Sequence, residues 1–134
     1  MADNTFQCSV ITPEASVLET DATFAALPAH DGEIGVLRDR APLLCKLGLG
    51  ELRLDTADGK RAYFIDGGFA QVVRNNVIIL TSEAVERKDL SADEARKALE
   101  DADALPHADA LDKKKRDHAR ARAKAMLRLA GKSS

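Results

Sequence analysis

The stretch GELRLDTADGKRAYFI, residues 50–65, has the pattern of a β-hairpin. Leu52 and Leu54 alternate with charged neighbours, which is the period of a strand with one buried face. Asp58 and Gly59 form a pair that tolerates positive φ, the strongest short-range signal for a tight hairpin turn. The chain then continues into a second apolar run. We therefore predict two antiparallel strands joined at Asp58 and Gly59.

The same kind of pattern extends over residues 5–82, where short apolar runs are separated by turn residues. Asn75 and Asn76 predict a second hairpin turn, and the glycine pair 67–68 predicts a bend where a side chain would obstruct a close backbone approach. Residues 77–80 are continuously apolar, as in a strand covered on both faces. Eight or nine short strands without a helical period indicate an antiparallel sandwich or barrel.

The period changes after Val85. Apolar residues recur at steps of three and four over residues 90–105, which predicts an amphipathic helix with Ser91 as its N-cap. A second helix is predicted from residue 109 or 110 to residue 130, with Gly131 as its C-terminal cap. Its less polar side consists of Leu111, Ala119, Ala123, Met126, Leu127 and Ala130. The short connection between the helices favours an antiparallel hairpin.

The predicted architecture is therefore an N-terminal antiparallel β-sandwich over residues 1–85 followed by an α-helical hairpin over residues 86–134. The length of 134 residues, with 45% hydrophobic and 31% charged residues, excludes a large multidomain enzyme and wholesale disorder. No window is long and apolar enough to predict a signal sequence or a membrane span, so we expect a cytosolic chain. Cys8 and Cys45 lie in apolar patterns and are predicted to be buried free thiols, since a cytosolic compartment disfavours a disulfide between them.

The sequence contains no recognisable catalytic or metal-binding constellation. Its three histidines lack metal-ligand spacing and stand beside no plausible nucleophile, so they are interpreted as surface residues. The glycine pairs match neither a P-loop nor a dinucleotide fingerprint. Asp31 and Glu33 lie on a loop where nothing separates the pKa values of the two carboxyl groups. We predict no catalytic residue, no metal and no enzymatic cofactor.

Basic charge is concentrated at the end of the chain. Residues 111–134 carry nine basic and two acidic side chains, although the formal net charge of the whole chain is -2. The segment fits a solvated helix face that attracts any polyanion, or a helix that docks into an acidic protein groove. Nucleic acid is disfavoured, because no aromatic residues are interleaved and the remaining chain is acidic.

Three segments are similar to one known family. HDGEIGVLRDRAPLL, residues 30–44, resembles the GELG(I/V)xPxHAPLL segment of the epsilon subunit of F-type ATP synthases, which is called delta in mitochondria. FIDGGFAQV, residues 64–72, resembles that family's (Y)xxGGxxEV, and VIILTSEAV, residues 77–85, resembles its xVTVLADxA. The resemblance covers nearly the whole chain in the correct order.

This resemblance implies a ten-stranded β-sandwich followed by a helical hairpin, in a noncatalytic subunit of the rotating central stalk. It implies binding to the gamma subunit and to the ring of c subunits, and a peripheral location on the cytoplasmic face of the cell inner membrane. The coupling ion, proton or sodium, stays open. The alternative that the residues allow is a free-standing β-sandwich module whose basic helical tail binds acidic proteins or nucleic acid.

The resemblance also implies a contact loop for the c ring and gamma. Glu33 matches the family acid that faces the polar loops of the c ring, and Asp31, Arg38, Asp39 and Arg40 accompany it. Here Arg38 and Asp39 replace the family's common Pro-Gly, and Arg40 replaces its histidine. A plain solvated turn is the other interpretation of these residues.

In some bacterial members the hairpin binds ATP through a motif that reads Ile or Leu, Asp, any two residues, Arg, Ala. Asp93 and Arg96 keep their places in that motif, whereas Ala92 and Lys97 depart from it. The pair is therefore either part of a regulatory ATP site or an ordinary charge pair at i and i+3 on a helix.

In the family's extended state the second helix enters the catalytic head of alpha and beta subunits near an acidic loop of beta, where it inhibits ATP hydrolysis. The basic segment has the charge that this contact requires. The candidate contact residues are Lys113, Lys114, Lys115, Arg116, Arg120, Arg122 and Lys124.

Overall fold

A computed structural model describes residues 4–131, and the chain divides into two compact units with the boundary after Glu86. In the described part of the first unit every regular element is a strand. The strands are β1 (Phe6–Ile11), β2 (Ser16–Ala29), β3 (Gly32–Val36), β4 (Leu43–Thr56), β5 (Gly59–Val73), β6 (Asn76–Leu80) and β7 (Ala84–Glu86).

The three long strands β2, β4 and β5 have 14 or 15 residues, and each takes part in both layers of the first unit. One layer has the strand order β7-β5-β4-β2-β3, and the other has the order β4-β5-β6-β1-β2. Counting each long strand once in each layer gives ten strand segments. The fold is the β-sandwich that the sequence predicts, with one parallel pair, β1 and β6.

Several segments that the sequence predicts as separate short strands are continuous in the structure. Strands β4 and β5 pair in one register from Leu43 opposite Val72 to Thr56 opposite Gly59. Strand β5 is buried at alternate or consecutive positions in each half, but residues 66–68 between the halves are only partly buried. A long strand that passes from one layer to the other loses its alternation at the bend, and the sequence pattern therefore shows two short strands.

Both hairpin turns lie one residue earlier than predicted. The first turn consists of Ala57 and Asp58, because Gly59 already pairs in β5 with a φ of 114°. The second consists of Arg74 and Asn75, whose φ values are 52° and 62°. Two consecutive residues with positive φ are the signature of a type I′ turn, which matches the right-handed twist of the flanking strands.

The predicted bend at the glycine pair is present. Gly67 and Gly68 have φ values of 68° and 110°. A Cβ atom on Gly68 would clash with the carbonyl oxygen of Leu80 and lie 2.8 Å from the Cα atom of Thr81. The chain passes over the middle of β5 at this point on its way from β6 to β7, so the close approach leaves no room for a side chain.

The core lies between the layers and is made of aliphatic and aromatic side chains. Cys8 is fully buried in it, and burial raises the pKa of this thiol to about 12. Cys45 is only partly buried, contrary to the prediction, because it lies near the start of β4 at the margin of the core. Partial burial also raises the pKa of the Cys45 thiol. Both cysteines are free.

In the second unit a 3₁₀ turn, Arg87–Asp89, precedes the helices α1 (Ala92–Asp103) and α2 (Ala110–Ala130). Ser91 caps α1 as predicted, since its hydroxyl oxygen accepts a hydrogen bond from the backbone N–H of Glu94. Asp109 caps α2 in the same way through the N–H of Asp112. The residue at the end of α2, Gly131, is its C-cap.

The buried side of α2 differs from its predicted less polar side. Leu111 is 60% exposed, whereas Ala123, Ala125 and Leu129 are buried. Small side chains dominate the buried positions of both helices, so the hairpin buries little apolar area per residue. Within residues 4–131 the structure contains no helix with the length and apolar character needed to cross a membrane.

Candidate functional site

The outer face of the layer β4-β5-β6-β1 carries two rows of side chains that face away from the core. The strand registers place Ile11, Leu80, Phe69 and Lys46 in one row and Ser9, Ile78, Gln71 and Leu44 in the other. Leu44 is 72% exposed, Phe69 is 53% exposed and Leu80 is 51% exposed. Five of the eight positions are apolar, and none is acidic. We call these eight residues the apolar face.

An open cleft of about 490 Å³ lies beside the apolar face. It is lined by residues of the β1–β2 turn and by the segment that crosses β5, and it includes Ile11, Gly68 and Leu80. Exposed apolar surface next to a shallow cleft is typical of a protein-binding surface.

Sequence reasoning missed the apolar face, although one signal for it was present. The continuous apolar run of β6 predicts a strand covered on both sides. Val77 and Ile79 do face the core, but Ile78 and Leu80 are exposed. The prediction that this strand is covered on both sides is therefore wrong within the described chain, which covers only the face of Val77 and Ile79.

The predicted contact loop, residues 31–40, is not one loop, because β3 lies inside it. Asp31 and Glu33 belong to one end of β3 and Arg38 to Arg40 follow its other end. The strand rise places these ends about 13 Å apart. The structure thus separates the acidic and the basic members of the predicted loop into two sites.

At the acidic end, Glu33 is paired with a base on a neighbouring strand. The guanidinium of Arg53 donates to Oε1 of Glu33 over 2.7 Å, and both side chains are about half exposed. Such an exposed pair contributes only about 0.2–1 kcal/mol to stability. Asp31 is exposed in the turn before β3. Two carboxylates with one guanidinium leave this end acidic and accessible.

At the basic end, residues 37–40 form a turn in which the N–H of Arg40 donates to the carbonyl of Leu37 over 3.2 Å. Asp39 has a φ of 64° at the third position of this turn. Positive φ at that position is the conformation that glycine adopts in a Pro-Gly turn. Arg38 and Asp39 therefore keep the turn geometry that the family's Pro-Gly would supply.

The residues of the candidate ATP motif lie in the first turns of α1. The guanidinium of Arg96 donates to the carboxylate of Asp93, and both side chains are exposed. They make the i to i+3 charge pair that was one of the two interpretations of this motif.

The seven candidate contact residues of the basic segment all lie on α2. Lys113, Lys114, Lys115 and Lys124 are exposed, whereas Arg116, Arg120 and Arg122 are partly buried. Arg120 forms an ion pair with Asp103 of α1, with Nε 2.7 Å from Oδ1. The exposed lysines are therefore the members of this set that are best placed to meet an acidic partner.

Across residues 4–131 no group of three or more His, Cys, Asp or Glu side chains could hold a metal ion. The features described above are an apolar face, two charged ends of β3 and a basic helix.

Comparison with known proteins shows the family of the chain. Residues 5–87 match the model of the ATP synthase, Delta/Epsilon chain, beta-sandwich domain. The chain belongs to the ATP synthase delta/epsilon family. It is 45% identical over 122 residues to the ATP synthase epsilon chain of Rhodopirellula baltica, and the match covers 91% of this chain and 95% of that relative.

Two further proteins support the same family. The sodium ion specific ATP synthase epsilon chain of Propionigenium modestum is 35% identical, over 72% of this chain and 70% of the relative. A chain in the structure of the Euglena gracilis mitochondrial ATP synthase, OSCP/F1/c-ring, superposes with a TM-score of 0.71 at 26% identity, over 92% of this chain and 75% of that one.

A chain of the Tetrahymena thermophila mitochondrial ATP synthase central stalk and c ring has the same fold, with a TM-score of 0.73 at 14% identity over 92% of this chain and 95% of that one. As a member of the delta/epsilon family, the chain is a noncatalytic stalk subunit of ATP synthase, a membrane-bound complex. The relatives do not support the alternative of a free-standing binding module with a basic tail.

Proposed function

We propose that the sandwich joins the gamma subunit to the c ring, and so helps to couple ion translocation to ATP synthesis. The observation that carries the proposal is the apolar face, which exposes Leu44, Phe69 and Leu80 on one flat surface. A part that transmits torque needs static contacts rather than an active site. Apolar surface at the centre of an interface, with polar groups at its rim, supplies such contacts.

We assign the apolar face to gamma and the acidic end of β3 to the c ring. The c ring presents polar loops to this subunit in the family, and Glu33 matches the family acid that faces them. The Glu33–Arg53 pair is exposed, so a polar loop can reach it without displacing core side chains. A contact with the c ring supports a peripheral location of the chain on the cytoplasmic face of the cell inner membrane.

We further propose that the hairpin inhibits ATP hydrolysis when α2 meets the acidic loop of the beta subunit in the catalytic head. The exposed Lys113, Lys114 and Lys115 support this role, because three adjacent ammonium groups on one turn of helix attract carboxylates strongly. Asp103 pairs with Arg120 within the hairpin, so separation of the helices would free this guanidinium from its partner.

Assembly of the complex with variant chains tests the proposed role of the sandwich. Phe69→Asp buries a charge at the centre of the gamma contact and should weaken assembly by about 30-fold or more. Glu33→Lys and Arg40→Glu reverse charges at the two ends of β3 and should weaken assembly without unfolding the sandwich. Co-purification of gamma and the c ring with each tagged variant measures the effect.

Val17→Asp is the comparison variant, because Val17 is an exposed apolar residue of β2 beside Ile11, at the edge of the layer that carries the apolar face. It should weaken assembly less than Phe69→Asp does. Undiminished recovery of gamma with Phe69→Asp, or of the c ring with Glu33→Lys, would reject the corresponding contact.

A further inference from the structure

Unusual backbone conformations gather at one end of the sandwich. Among residues 4–131, the residues other than glycine with positive φ are Asp39, Arg74 and Asn75. Asp39 lies in the turn after β3, and the other two form the β5–β6 turn, which is more than thirty positions away in the chain. Asp and Asn tolerate this conformation, so Asp39 and Asn75 are ordinary turn residues, and Arg74 is the residue whose type does not suit its backbone.

Asn75 ties the two turns together. Its Oδ1 accepts a hydrogen bond of 2.6 Å from the backbone N–H of Asp39, and its Nδ2 donates over 3.1 Å to Oδ1 of Asp39. Its carbonyl accepts from the N–H of Gln7 over 2.9 Å, which anchors the same turn to β1. The side chain of Asn75 therefore positions Asp39 and the turn that carries it.

The joined turns carry exposed cationic side chains and one exposed apolar side chain. Leu37 is 61% exposed, and Arg38, Arg40 and Arg74 are exposed. Arg38 is fixed in place, since its guanidinium donates to the carbonyl of Thr5 over 3.1 Å and its Nε lies 3.8 Å from Oδ1 of Asp39. Three guanidinium groups and one carboxylate, that of Asp39, give a local charge of about +2.

Arg74 is the informative member of this set. A left-handed conformation suits Asn or Gly, and an arginine in it is less stable. Its side chain is exposed, so packing in the core does not explain an arginine there. Neither backbone preference nor burial therefore accounts for an arginine at position 74.

We propose that Leu37, Arg38, Arg40 and Arg74, positioned by Asn75, form one docking surface for a carboxylate-bearing loop of the gamma subunit. The surface is close to the apolar face along the chain, because residues 41–43 lead from its first turn to Leu44 and its second turn leads into β6, which carries Ile78 and Leu80. This inference rests on the proposed gamma contact and adds to it an element, the β5–β6 turn, and a partner chemistry.

Arg74→Asn removes the positive charge while it keeps a residue that suits the conformation of the turn. Asparagine adopts positive φ more readily than arginine, so the variant should be at least as resistant to urea as the unaltered chain. Its affinity for purified gamma of the same synthase should nevertheless fall about threefold to tenfold at low ionic strength, and the difference should shrink as salt is added. Lys60→Asn removes an exposed charge at the opposite end of the β4–β5 hairpin and should leave the affinity unchanged.

Asn75→Gly tests the positioning role, because glycine keeps the left-handed backbone while the two hydrogen bonds to Asp39 are lost. Amide exchange at Asp39 should become faster, and affinity for gamma should fall, with Arg74 still present. Unaltered exchange and affinity would exclude Asn75 as a positioning residue.

Equal affinity of Arg74→Asn and the unaltered chain for gamma would overturn the docking surface. A loss of affinity for isolated c ring, with gamma binding intact, would overturn the assignment to gamma. Failure of the unaltered chain to bind gamma at all would reject the proposed gamma contact itself, and that outcome is distinct from the other two.

Discussion

Gly68 is the residue on which the shape of the sandwich depends most. The segment from β6 to β7 crosses β5 at this residue, and the backbone of Leu80 occupies the space that a Cβ atom would need. The crossing is held by hydrogen bonds that the carbonyl of Asp66 accepts from the hydroxyl groups of Thr81 and Ser82, over 3.3 Å and 2.8 Å. Because Gly68 has no side chain, the crossing segment can pass over the middle of β5, the strand that takes part in both layers.

Gly68→Ala should lower the free energy of unfolding by about 3 kcal/mol or more, because backbone rather than a flexible side chain must move. Gly59→Ala is the control. Gly59 has a similar φ of 114°, but no atom lies within 4 Å of its potential Cβ atom, so only conformational strain of about 1 kcal/mol is expected. Urea denaturation followed by circular dichroism measures both, and equal losses would refute the steric explanation.

Cys8 gives the sandwich a dependence on alkaline pH. Its thiol has a pKa of about 12 in the folded chain and an ordinary value of 9.0. The folded state therefore holds this proton more tightly than the unfolded state. Its contribution to stability is complete below about pH 9 and is lost as the pH rises towards 12.

Cys8→Ala should therefore make the free energy of unfolding less steeply dependent on pH above about pH 9, by up to about 1.4 kcal/mol per pH unit. Urea denaturation at a series of pH values measures the slope. Cys45→Ala is the comparison, since Cys45 is only partly buried and its removal should change the slope less. An identical slope for Cys8→Ala and the unaltered chain would contradict the burial of the Cys8 thiol.

At the scale of elements, the sequence patterns predict correctly whether a segment is a strand or a helix, but they predict its first and last residues less accurately. Alternation in residues 50–56 and the 3.6 period after Val85 correctly separate strand from helix. Ser91 was identifiable as an N-cap because capping depends on residues three positions apart. The continuity of β4 and β5 was not identifiable, since it results from pairing between strands rather than from either sequence alone.

The hairpin is the element that carries the proposed inhibition. Truncation after Glu86 removes both helices and keeps β7. The carboxylate of Glu86 in β7 lies 3.6 Å from the guanidinium of Arg61 across the sheet. Complexes with the truncated chain should assemble normally and hydrolyse ATP faster than complexes with the full chain, because α2 no longer reaches the beta subunit. A coupled ATPase assay on both complexes tests this.

Charge reversal of Lys113, Lys114 and Lys115 to Glu, with both helices intact, is the matched variant for that assay. It should raise the ATPase rate in the same direction as truncation. An unchanged rate in both complexes would reject inhibition by the hairpin.

At the scale of the whole molecule, the chain is a β-sandwich followed by a helical hairpin that buries little apolar area, and the proposed contacts all lie on exposed surfaces. Glu33 was identified through the resemblance of residues 30–44 to the family segment, whereas the basic character of α2 follows directly from its residue types. The apolar face could not, because an apolar run does not reveal which of its two faces the chain itself covers. The hydrogen bond between Asn75 and Asp39 could not be predicted either, because it joins residues that are 36 positions apart in the chain.

The most direct measurement is gel filtration of the unaltered chain mixed with an equal amount of purified gamma subunit of the same synthase. A sandwich built to couple stalk and ring should elute with gamma as a stable complex of one copy each. Elution of the two proteins as separate peaks, at micromolar concentration and physiological salt, would contradict a role as a coupling subunit.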